Sequence, residues 1–195
     1  ILHSFRIGPD GQMSFPYGHE RLSALYGVAP EVMGQPNPPL QQLLHEADRA
    51  WLPAAVAASA RTLTPVEGTY RVRHATRGVI WLELHSMPVR EADGGTVWQG
   101  TLTDVTERQR AEQALADSRS QFEAVFANLD EGIAVFNPRG ELMHWNRAAY
   151  VMHDVPPAND LGVLADFADV FVVHDMHGQP VPMQDWAMAR ILRTG

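Results

Sequence analysis

The sequence predicts an α+β fold. Two short strand-like segments are followed by several helical segments and then by three longer strand-like segments. The turns between the last three segments are of the hairpin type, which makes neighbouring strands antiparallel. A long uninterrupted helical segment comes next, and after it the order of strand, turn, strand and helix begins again. Runs of helices kept apart from runs of strands are typical of α+β architecture.

Turn-forming residues separate the first strands and helices. Residues 5–8 and Met13–Tyr17 predict two strands, because the Pro-Asp-Gly sequence at 9–11 is a turn signal. Apolar residues at helical spacing, flanked by Gly or Pro, then predict helices at His19–Tyr26, Pro30–Met33, 40–45 and 46–63. Pro53 falls within the first turns of the last of these helices, where proline is tolerated.

Three longer strands follow. They are predicted at Val66–His74, 79–89 and 97–105, which are rich in the Val, Tyr, Trp and Thr residues that favour strands. The connectors at 76–78 and 91–95 contain the glycines of hairpin turns. Apolar Trp81 alternates with apolar Leu82, so both faces of this sheet carry apolar residues and the sequence leaves open which face Trp81 takes.

A single helix is predicted over 106–129, and it would join two globular pieces. Thr106 and Gln109 have the spacing of a capping box. Apolar or small residues then step by four and three, which is the spacing of a coiled-coil seam. The seam residues are Ala111, Leu115, Ser118, Phe122, Val125 and Leu129. Two interpretations stay open: a helix packed on one domain of its own chain, or the seam of a homodimer.

The remainder of the chain is interpreted as a partial repeat of the first unit. Strands are predicted at 132–136 and 141–145, a helix capped by Asn146 follows, residues 161–173 are ambiguous, and a final helix is predicted at 183–192. The three closing strands of the first unit have no counterpart, and a two-stranded hairpin is marginal alone. The sequence therefore predicts further residues after Gly195, or strands borrowed from a neighbour. The predicted domains are 1–106, the connecting helix 107–129, and 130–195.

Composition excludes several classes of function. The chain has 195 residues with a formal net charge of −8, and without a basic patch this argues against nucleic-acid binding. It has no cysteine, which excludes disulfides, thiolate metal sites and a flavin–cysteine adduct. No apolar run approaches the ~20 residues of a bilayer span. These features predict a cytoplasmic segment without membrane contact, and the start at Ile1 predicts a piece of a longer protein that can be membrane-anchored elsewhere.

Histidines and carboxylates give no strong sign of a metal, haem or catalytic site. His45 lies where a helix starts, and hydrogen bonding there is favoured over haem ligation. His174 and His177 are close in sequence, but they lack a third ligand at a recognisable spacing. No nucleophile–base set or phosphate-binding loop is present, so no catalytic residue and no metal site is predicted.

The chain resembles the PAS family of sensor domains over nearly its whole length. Residues 6–34 resemble the opening of a PAS domain through the segment Leu-Tyr-Gly-x-x-Pro-Glu, and 43–51 resemble its His-Pro-Asp-Asp-Arg segment. The most specific match is Asp-Val-Thr-Glu-Arg at 104–108, joined to the long helix. Residues 122–149 resemble the start of a second PAS domain, and 177–195 resemble a segment often found in bacterial sensor kinases. The resemblance departs at Gly18-His19, where related sequences often carry Ser or Asn.

The resemblance implies a five-stranded antiparallel sheet with short helices on one face and a ligand cavity between the layers. Cavity candidates are Tyr26, Trp51, Val56, Tyr70, Val72, Leu82, Leu84 and Leu102, although such residues are often simply core. Asp104 and Thr106 are expected to anchor the exit of the last strand, or to act only as a helix cap. With Leu115 and Phe122 they would relay a signal into the helix.

The expected function is that of a sensory module. It would bind an unidentified small ligand or partner, form a homodimer, and pass a conformational change through the connecting helix to a C-terminal output domain of the same chain. A histidine kinase is the favoured output, a diguanylate cyclase is the alternative, and a ligand-free interaction module with a filled core is a third hypothesis.

Overall fold

The computed structural model describes residues 1–154 and 171–194. The chain divides into two compact units, Ile1–Ala114 and Leu115–Gly195. The division falls inside a single helix, α5, which covers Thr106–Asn128. The prediction of one uninterrupted helix after the last strand of the first unit is therefore confirmed.

The first unit is built on one antiparallel sheet of five strands. The strands are β1 Leu2–Ile7, β2 Met13–Tyr17, β3 Val66–His74, β4 Gly78–Arg90 and β5 Thr96–Asp104. Their order across the sheet is β2-β1-β5-β4-β3. The first and last strands of the unit are thus neighbours, and β5 ends next to the middle of β4, where Leu82 lies opposite Asp104. The expected five-stranded antiparallel sheet is confirmed.

Four short α-helices pack on one face of this sheet. They are α1 His19–Tyr26, α2 Pro30–Met33, α3 Leu40–Leu43 and α4 Trp51–Thr62. The single helix predicted over 46–63 is wrong, because a 3₁₀ turn at Glu46–Asp48 comes before α4. Pro53 explains the break: it lacks an N–H and clashes with the preceding turn inside a helix, so the helix begins only two residues before it.

The core of the first unit lies between the helices and the inner face of the sheet. Inward side chains alternate along the strands, as the pleat requires. Fully buried examples are Leu22, Met33, Tyr70, Val72, Ile80, Leu82, Trp98 and Leu102. Trp81 takes the outer face, where the guanidinium carbon of Arg71 lies 5.0 Å from the centre of its ring.

Gly18 starts helix α1 in a conformation that disfavours other residues. Its φ is +86°, in the left-handed region. A Cβ at this position would also lie 2.7 Å from the carbonyl oxygen of Leu2. These constraints explain why a glycine stands where related sequences often carry a capping Ser or Asn.

The second unit contains, after α5, a two-stranded sheet and two further helices among the described residues. The elements are β6 Ala134–Phe136, β7 Leu142–Trp145, α6 Arg147–Met152 and α7 Ala187–Thr194. The predicted cap of α6 is confirmed, because Asn146 Oδ1 accepts a hydrogen bond from the backbone N–H of Ala149 at 3.0 Å. The helix predicted over 183–192 is instead a 3₁₀ turn at Met183–Asp185 followed by α7. Most of the ambiguous stretch, 161–170, lies outside the described residues.

Candidate functional site

A cavity of about 310 Å³ lies within the first unit, between the helices and the inner face of the sheet. Its wall is mostly aliphatic and aromatic, and it contains no Asp, Glu, Lys or Arg side chain. The wall residues are His3, Phe5, Ile7, Gly11, Met13, Phe15, Leu22, Tyr26, Leu40, Gln41, Leu44, Leu52, Pro53, Val56, Ala57, Tyr70, Leu84 and Leu102. A concave, apolar site with few polar groups is the usual form of a small-molecule pocket.

The cavity wall contains five of the eight residues expected there. These are Tyr26, Val56, Tyr70, Leu84 and Leu102. The other three expectations are corrected. Val72 and Leu82 are fully buried in the core away from the wall, and Trp51 is 39% exposed at the start of α4. The Trp51 ring packs over Gly68 of β3, where an added Cβ would meet it at 2.7 Å.

Strand β1 supplies wall residues that sequence reasoning missed. His3, Phe5 and Ile7 alternate along β1, and all three line the cavity. The alternation was a usable signal. The predicted strand began only at residue 5, however, so His3 lay outside it, and the sequence did not show that β1 occupies the middle of the sheet.

The two tyrosines of the wall form a buried hydrogen-bonded pair. The hydroxyl groups of Tyr26 and Tyr70 hydrogen-bond to each other. Burial raises the pKa of Tyr26 to about 12 and the pKa of Tyr70 well above its ordinary value. Both phenols are therefore neutral at neutral pH, and their hydroxyl groups add an uncharged polar pair to a mostly apolar wall.

His3 is another polar residue of the wall, which also contains Gln41. Its Nε2 lies 3.4 Å from the hydroxyl oxygen of Ser86 on β4. Its Nδ1 is buried and makes no hydrogen bond of good geometry among the described residues, although the backbone of Ile1 is near enough to the ring to raise its pKa. Burial lowers the pKa of His3 to about 4, so the imidazole is neutral at neutral pH.

The exit of β5 is tied to β4 and to the start of α5 by a compact set of hydrogen bonds. The Asp104 carboxylate accepts hydrogen bonds from the backbone N–H of Thr106 at 2.9 Å and from its hydroxyl at 2.5 Å. The Thr106 hydroxyl oxygen in turn accepts a hydrogen bond from the backbone N–H of Trp81 at 2.9 Å. Arg77, in the β3–β4 turn, donates to Asp104 at 2.6 Å. Two strands and one helix therefore meet at a single threonine.

The charge of Asp104 is stabilised by this network. Partial burial alone would raise the pKa of Asp104. The hydrogen bonds from the side chain and backbone of Thr106, and then those from Arg77, outweigh burial and leave the pKa below its ordinary value. The carboxylate is therefore ionised and able to accept all three donors at neutral pH.

The capping box predicted at Thr106 and Gln109 is not formed. Thr106 is the first residue of α5, and the backbone N–H of Gln109 donates to the carbonyl of Val105 at 2.9 Å. The Thr106 hydroxyl is occupied by Trp81 and Asp104, while the Gln109 amide lies 3.4 Å from Glu112. A tertiary contact with β4 has taken the place of the local cap.

The middle of α5 is exposed on all sides. Every residue from 110 to 121 is exposed, including Leu115 at 72%. Phe122 is 51% exposed, and its ring centre lies 5.4 Å from that of Phe126 and 6.2 Å from that of His144 on β7. A helix without a buried face is marginal by itself in water, so this segment is suited to pairing with another helix.

Residues 1–154 and 171–194 contain neither a clustered metal-ligand set nor a membrane-spanning helix. No group of three or more His, Asp or Glu side chains there is arranged to hold a metal ion. None of the helices in this part of the chain combines the length and the apolar character that crossing a bilayer requires.

Comparison with protein families gives one match in each of the two units. A model described as "PAS fold" matches residues 16–102, and a model described as "PAS domain" matches residues 120–185. Together the two stretches cover more than half of the chain. This chain belongs to the PAS family. It carries two PAS matches in tandem, and PAS domains are regulatory sensor modules.

Solved structures similar to this chain include parts of two bacterial proteins. One is a sensory box histidine kinase/response regulator from Burkholderia thailandensis E264, with 22% identity over 63% of this chain and 91% of that one, at a TM-score of 0.49. Another is the N-terminal domain of a diguanylate cyclase with PAS/PAC sensor from Marinobacter aquaeolei, with 18% identity over 56% of this chain and 99% of that one, at a TM-score of 0.47. A search of curated proteins gives no match.

Proposed function

We propose that the first PAS unit binds a small molecule in its cavity and that the connecting helix passes the resulting conformational change toward an output domain. In this proposal residues 1–106 form the sensing domain, 107–129 the signalling helix, and 130–195 part of a second PAS domain. The observation that carries the proposal is the apolar cavity of about 310 Å³ within the unit whose last strand leads directly into α5.

The cavity and the helix share strands, which is how ligand binding can act on the helix. Leu84 of β4 and Leu102 of β5 line the cavity. Trp81 lies three residues before Leu84, and Asp104 lies two residues after Leu102. A ligand that favours one arrangement of β4 and β5 therefore biases the hydrogen bonds at Thr106, and a shift in population follows from that difference in binding energy.

Homodimer formation through α5 is part of the proposal. The exposed stretch 110–121 contains the seam positions Ala111, Leu115 and Ser118. Pairing of two copies would bury these side chains and stabilise an otherwise marginal helix. The seam starts at Ala111, five residues after Thr106. A change in the hydrogen bonds at Thr106 would therefore alter how the two helices pair.

A histidine kinase is the output domain favoured by the sequence. The support is the resemblance of residues 177–195 to a segment common in PAS domains of bacterial sensor kinases. The parent open reading frame tests this part: a phosphoacceptor and ATP-binding region downstream supports it, and a diguanylate cyclase domain there contradicts it.

Ligand binding is tested with the purified protein and two matched variants. Native mass spectrometry and absorbance of the protein as purified, followed by a small-molecule screen, should reveal a bound compound. Val56→Phe fills the cavity and should weaken binding at least tenfold, whereas Ala54→Phe adds the same ring to an exposed position of α4 that does not line the cavity. Binding that survives Val56→Phe unchanged, or a protein that binds nothing, contradicts the proposed sensing role.

A further inference from the structure

The 3₁₀ turn at Glu46–Asp48 lies between two residues of the cavity wall. Leu44, four residues before Asp48, and Leu52, four residues after it, both line the cavity, whereas Asp48 itself does not. Leu44 also forms a bridge with Val72 on β3, the edge strand of the sheet. Only a few residues of backbone therefore separate Asp48 from the helical side of the wall in either direction, and a displacement of that wall acts on Asp48.

Asp48 holds Arg71 of β3 with three hydrogen bonds. Its carboxylate accepts from the backbone N–H of Arg71 at 2.9 Å, from Nε at 2.8 Å and from Nη2 at 3.0 Å. The two side-chain bonds run to different carboxylate oxygens, and this bidentate geometry fixes the direction of the guanidinium. The Asp48 side chain is only 15% exposed, so salt screens this ion pair less than a surface pair. The bonds from Arg71 outweigh partial burial and hold the pKa of Asp48 below its ordinary value.

Arg71 in turn covers the indole ring of Trp81 on β4. The two residues lie opposite each other in the sheet, and the guanidinium carbon lies 5.0 Å from the centre of the ring. A planar guanidinium is attracted to an aromatic face at this distance. The backbone of Trp81 holds the start of α5: its N–H donates to the Thr106 hydroxyl at 2.9 Å, and its carbonyl accepts from the N–H of Val105 at 2.9 Å. The contacts therefore form a continuous series from Asp48 to the first turn of α5.

We propose that Asp48 and Arg71 are positioning residues of the sensor, and that they couple the helical side of the cavity to helix α5 through Trp81. The inference rests on the proposed sensing function, since it names residues that regulate how the same cavity acts on the same helix. Movement of Asp48 carries the guanidinium of Arg71 with it, and the ring beneath that guanidinium belongs to the residue whose N–H holds Thr106. This route starts from the helices, and it adds to the direct one along β4 and β5.

A neighbouring ion pair provides a matched control. Glu46 lies in the same 3₁₀ turn as Asp48 and pairs at 2.5 Å with Arg73, which follows Arg71 by two residues on β3. Both side chains of this pair are about half exposed or more. Arg73 lies opposite Val79, so its position in the sheet differs from that of Arg71 opposite Trp81. The control pair thus has the same chemistry on the same two elements without the tryptophan.

The test uses 2-naphthol, an uncharged two-ring compound, as the probe of the cavity. The volume of about 310 Å³ corresponds to roughly ten water molecules, which is room for a compound of this size. Hydrogen exchange of the amides of 106–112 is measured in the full 195-residue protein with and without saturating 2-naphthol. The quantity compared between variants is the ratio of the two exchange rates. A residue that only supports the fold would change both rates and leave their ratio unaltered.

Asp48→Asn is the central variant. It keeps the size of the side chain and an acceptor for the backbone N–H of Arg71, but it removes the charge that holds the guanidinium. We expect the effect of 2-naphthol on exchange at 106–112 to fall by roughly twofold or more, as for residues along a coupled network. Glu46→Gln makes the same chemical change in the control pair and should leave the effect of 2-naphthol unaltered. Saturation in every variant keeps differences in affinity out of the comparison.

Arg71→Lys repeats the test from the other side of the ion pair. Lysine keeps the positive charge, but it lacks the planar group that binds a carboxylate with two prongs and stacks on an indole. We therefore expect Arg71→Lys to weaken the effect of 2-naphthol as Asp48→Asn does, whereas Arg73→Lys should not. NMR of the indole N–H groups gives a local readout: 2-naphthol should shift the Trp81 resonance, assigned with Trp81→Phe, in the wild type and far less in Asp48→Asn.

The outcomes separate this inference from the sensing function itself. If 2-naphthol changes exchange at 106–112 equally in the wild type, Asp48→Asn and Arg71→Lys, the role of Asp48 and Arg71 is overturned and the sensing function stands. Equal losses in Asp48→Asn and Glu46→Gln also overturn it, because they reflect a general weakening of the 3₁₀ turn. If 2-naphthol does not bind, or binds without changing exchange at 106–112 in the wild type, the proposed sensing function is contradicted and the inference falls with it.

Discussion

His3 gives the folded protein a pH dependence of its own. Burial, and after it the positive charge of the Ile1 ammonium, outweigh a backbone hydrogen bond to Ile1 and lower the pKa of His3 to about 4, against an ordinary value of 6.5. At pH values between these two, the unfolded chain holds a proton at this position that the folded chain does not. The free energy of unfolding therefore falls as the pH is lowered from 6.5 toward 4, and it is unaffected by His3 at higher pH.

The pH dependence is tested by comparing the wild type with His3→Phe. Urea unfolding at pH 7, 5.5 and 4.5 should show the wild type losing stability relative to the variant, by up to about 3 kcal/mol as the pH approaches 4. The carboxylates titrate alike in both proteins, so the difference isolates His3. Parallel stability curves for the two proteins would contradict a buried neutral imidazole at this position.

At the residue scale, the candidate site was partly predictable. Tyr26, Tyr70 and Leu102 were found because large apolar side chains at strand or helix spacing point to an interior. Val72 and Leu82 followed the same pattern, but they pack in the core. The pattern separates interior residues from surface residues, and it does not tell which interior residues border a cavity. His3 was missed for the complementary reason: its significance comes from Ser86 and Gly100, which are more than 80 residues away in sequence.

At the scale of elements, the junction between β5 and α5 couples the sheet to the helix. Thr106→Val keeps the size of the side chain but removes the acceptor for the Trp81 N–H and the donor to Asp104. We expect a loss of about 1–3 kcal/mol in the free energy of unfolding, since the partly buried backbone N–H of Trp81 is left unpaired. Thr103→Val, an outward-facing change on β5, should change stability by less than about 1 kcal/mol.

Hydrogen exchange gives a local readout of the same substitution. The Trp81 amide and the first-turn amides of α5 should exchange faster in Thr106→Val, while amides in the middle of β5 stay protected. Uniform acceleration across the whole unit would mean a general loss of stability and would count against a specific coupling role for Thr106.

The exposed middle of α5 leads to a prediction about self-association. Leu115 is on the seam and 72% exposed, so a charge there costs little within one chain. Leu115→Glu should shift the mass measured by analytical ultracentrifugation from dimer toward monomer, because the charge would enter the dimer seam. Ala116→Glu puts the same charge on an exposed position off the seam and should leave the mass unchanged. Equal masses for all three proteins contradict pairing through this helix.

Strands, helices and caps were predicted best where neighbouring residues in the sequence determine them. The strands β3, β4 and β5 follow from β-branched and aromatic residues between hairpin turns, and the Asn146 cap follows from its side chain. The helix predicted over 46–63 failed because of Pro53 and also because Asp48 has a tertiary partner. The Asp48 carboxylate accepts hydrogen bonds from the backbone and side chain of Arg71 on β3, at 2.8–3.0 Å. Such a tertiary contact has no signature in the local sequence.

At the scale of the whole molecule, the sequence predicts the order of strands and helices better than it predicts the cavity within the first unit. The repeated strand-turn-strand-helix order predicted two similar units, and two PAS family matches follow that order. The existence of a cavity was expected only from the family resemblance. Its wall could not be worked out from the residues alone, because it depends on β1 lying beside β5 and on small gaps between α1, α3, α4 and the sheet. Those gaps result from the packing of the entire unit and belong to no single segment.

In the proposed mechanism, a ligand in the cavity acts on helix α5 through Thr106. The most direct measurement is hydrogen exchange of the amides of 106–112 in the wild type, with and without saturating 2-naphthol or another compound shown to bind the cavity. We expect the ligand to change exchange at these amides, and we expect this change to be abolished in the cavity-filled Val56→Phe variant and reduced in Thr106→Val. A ligand that protects the cavity residues but leaves exchange across 106–112 unchanged would contradict it.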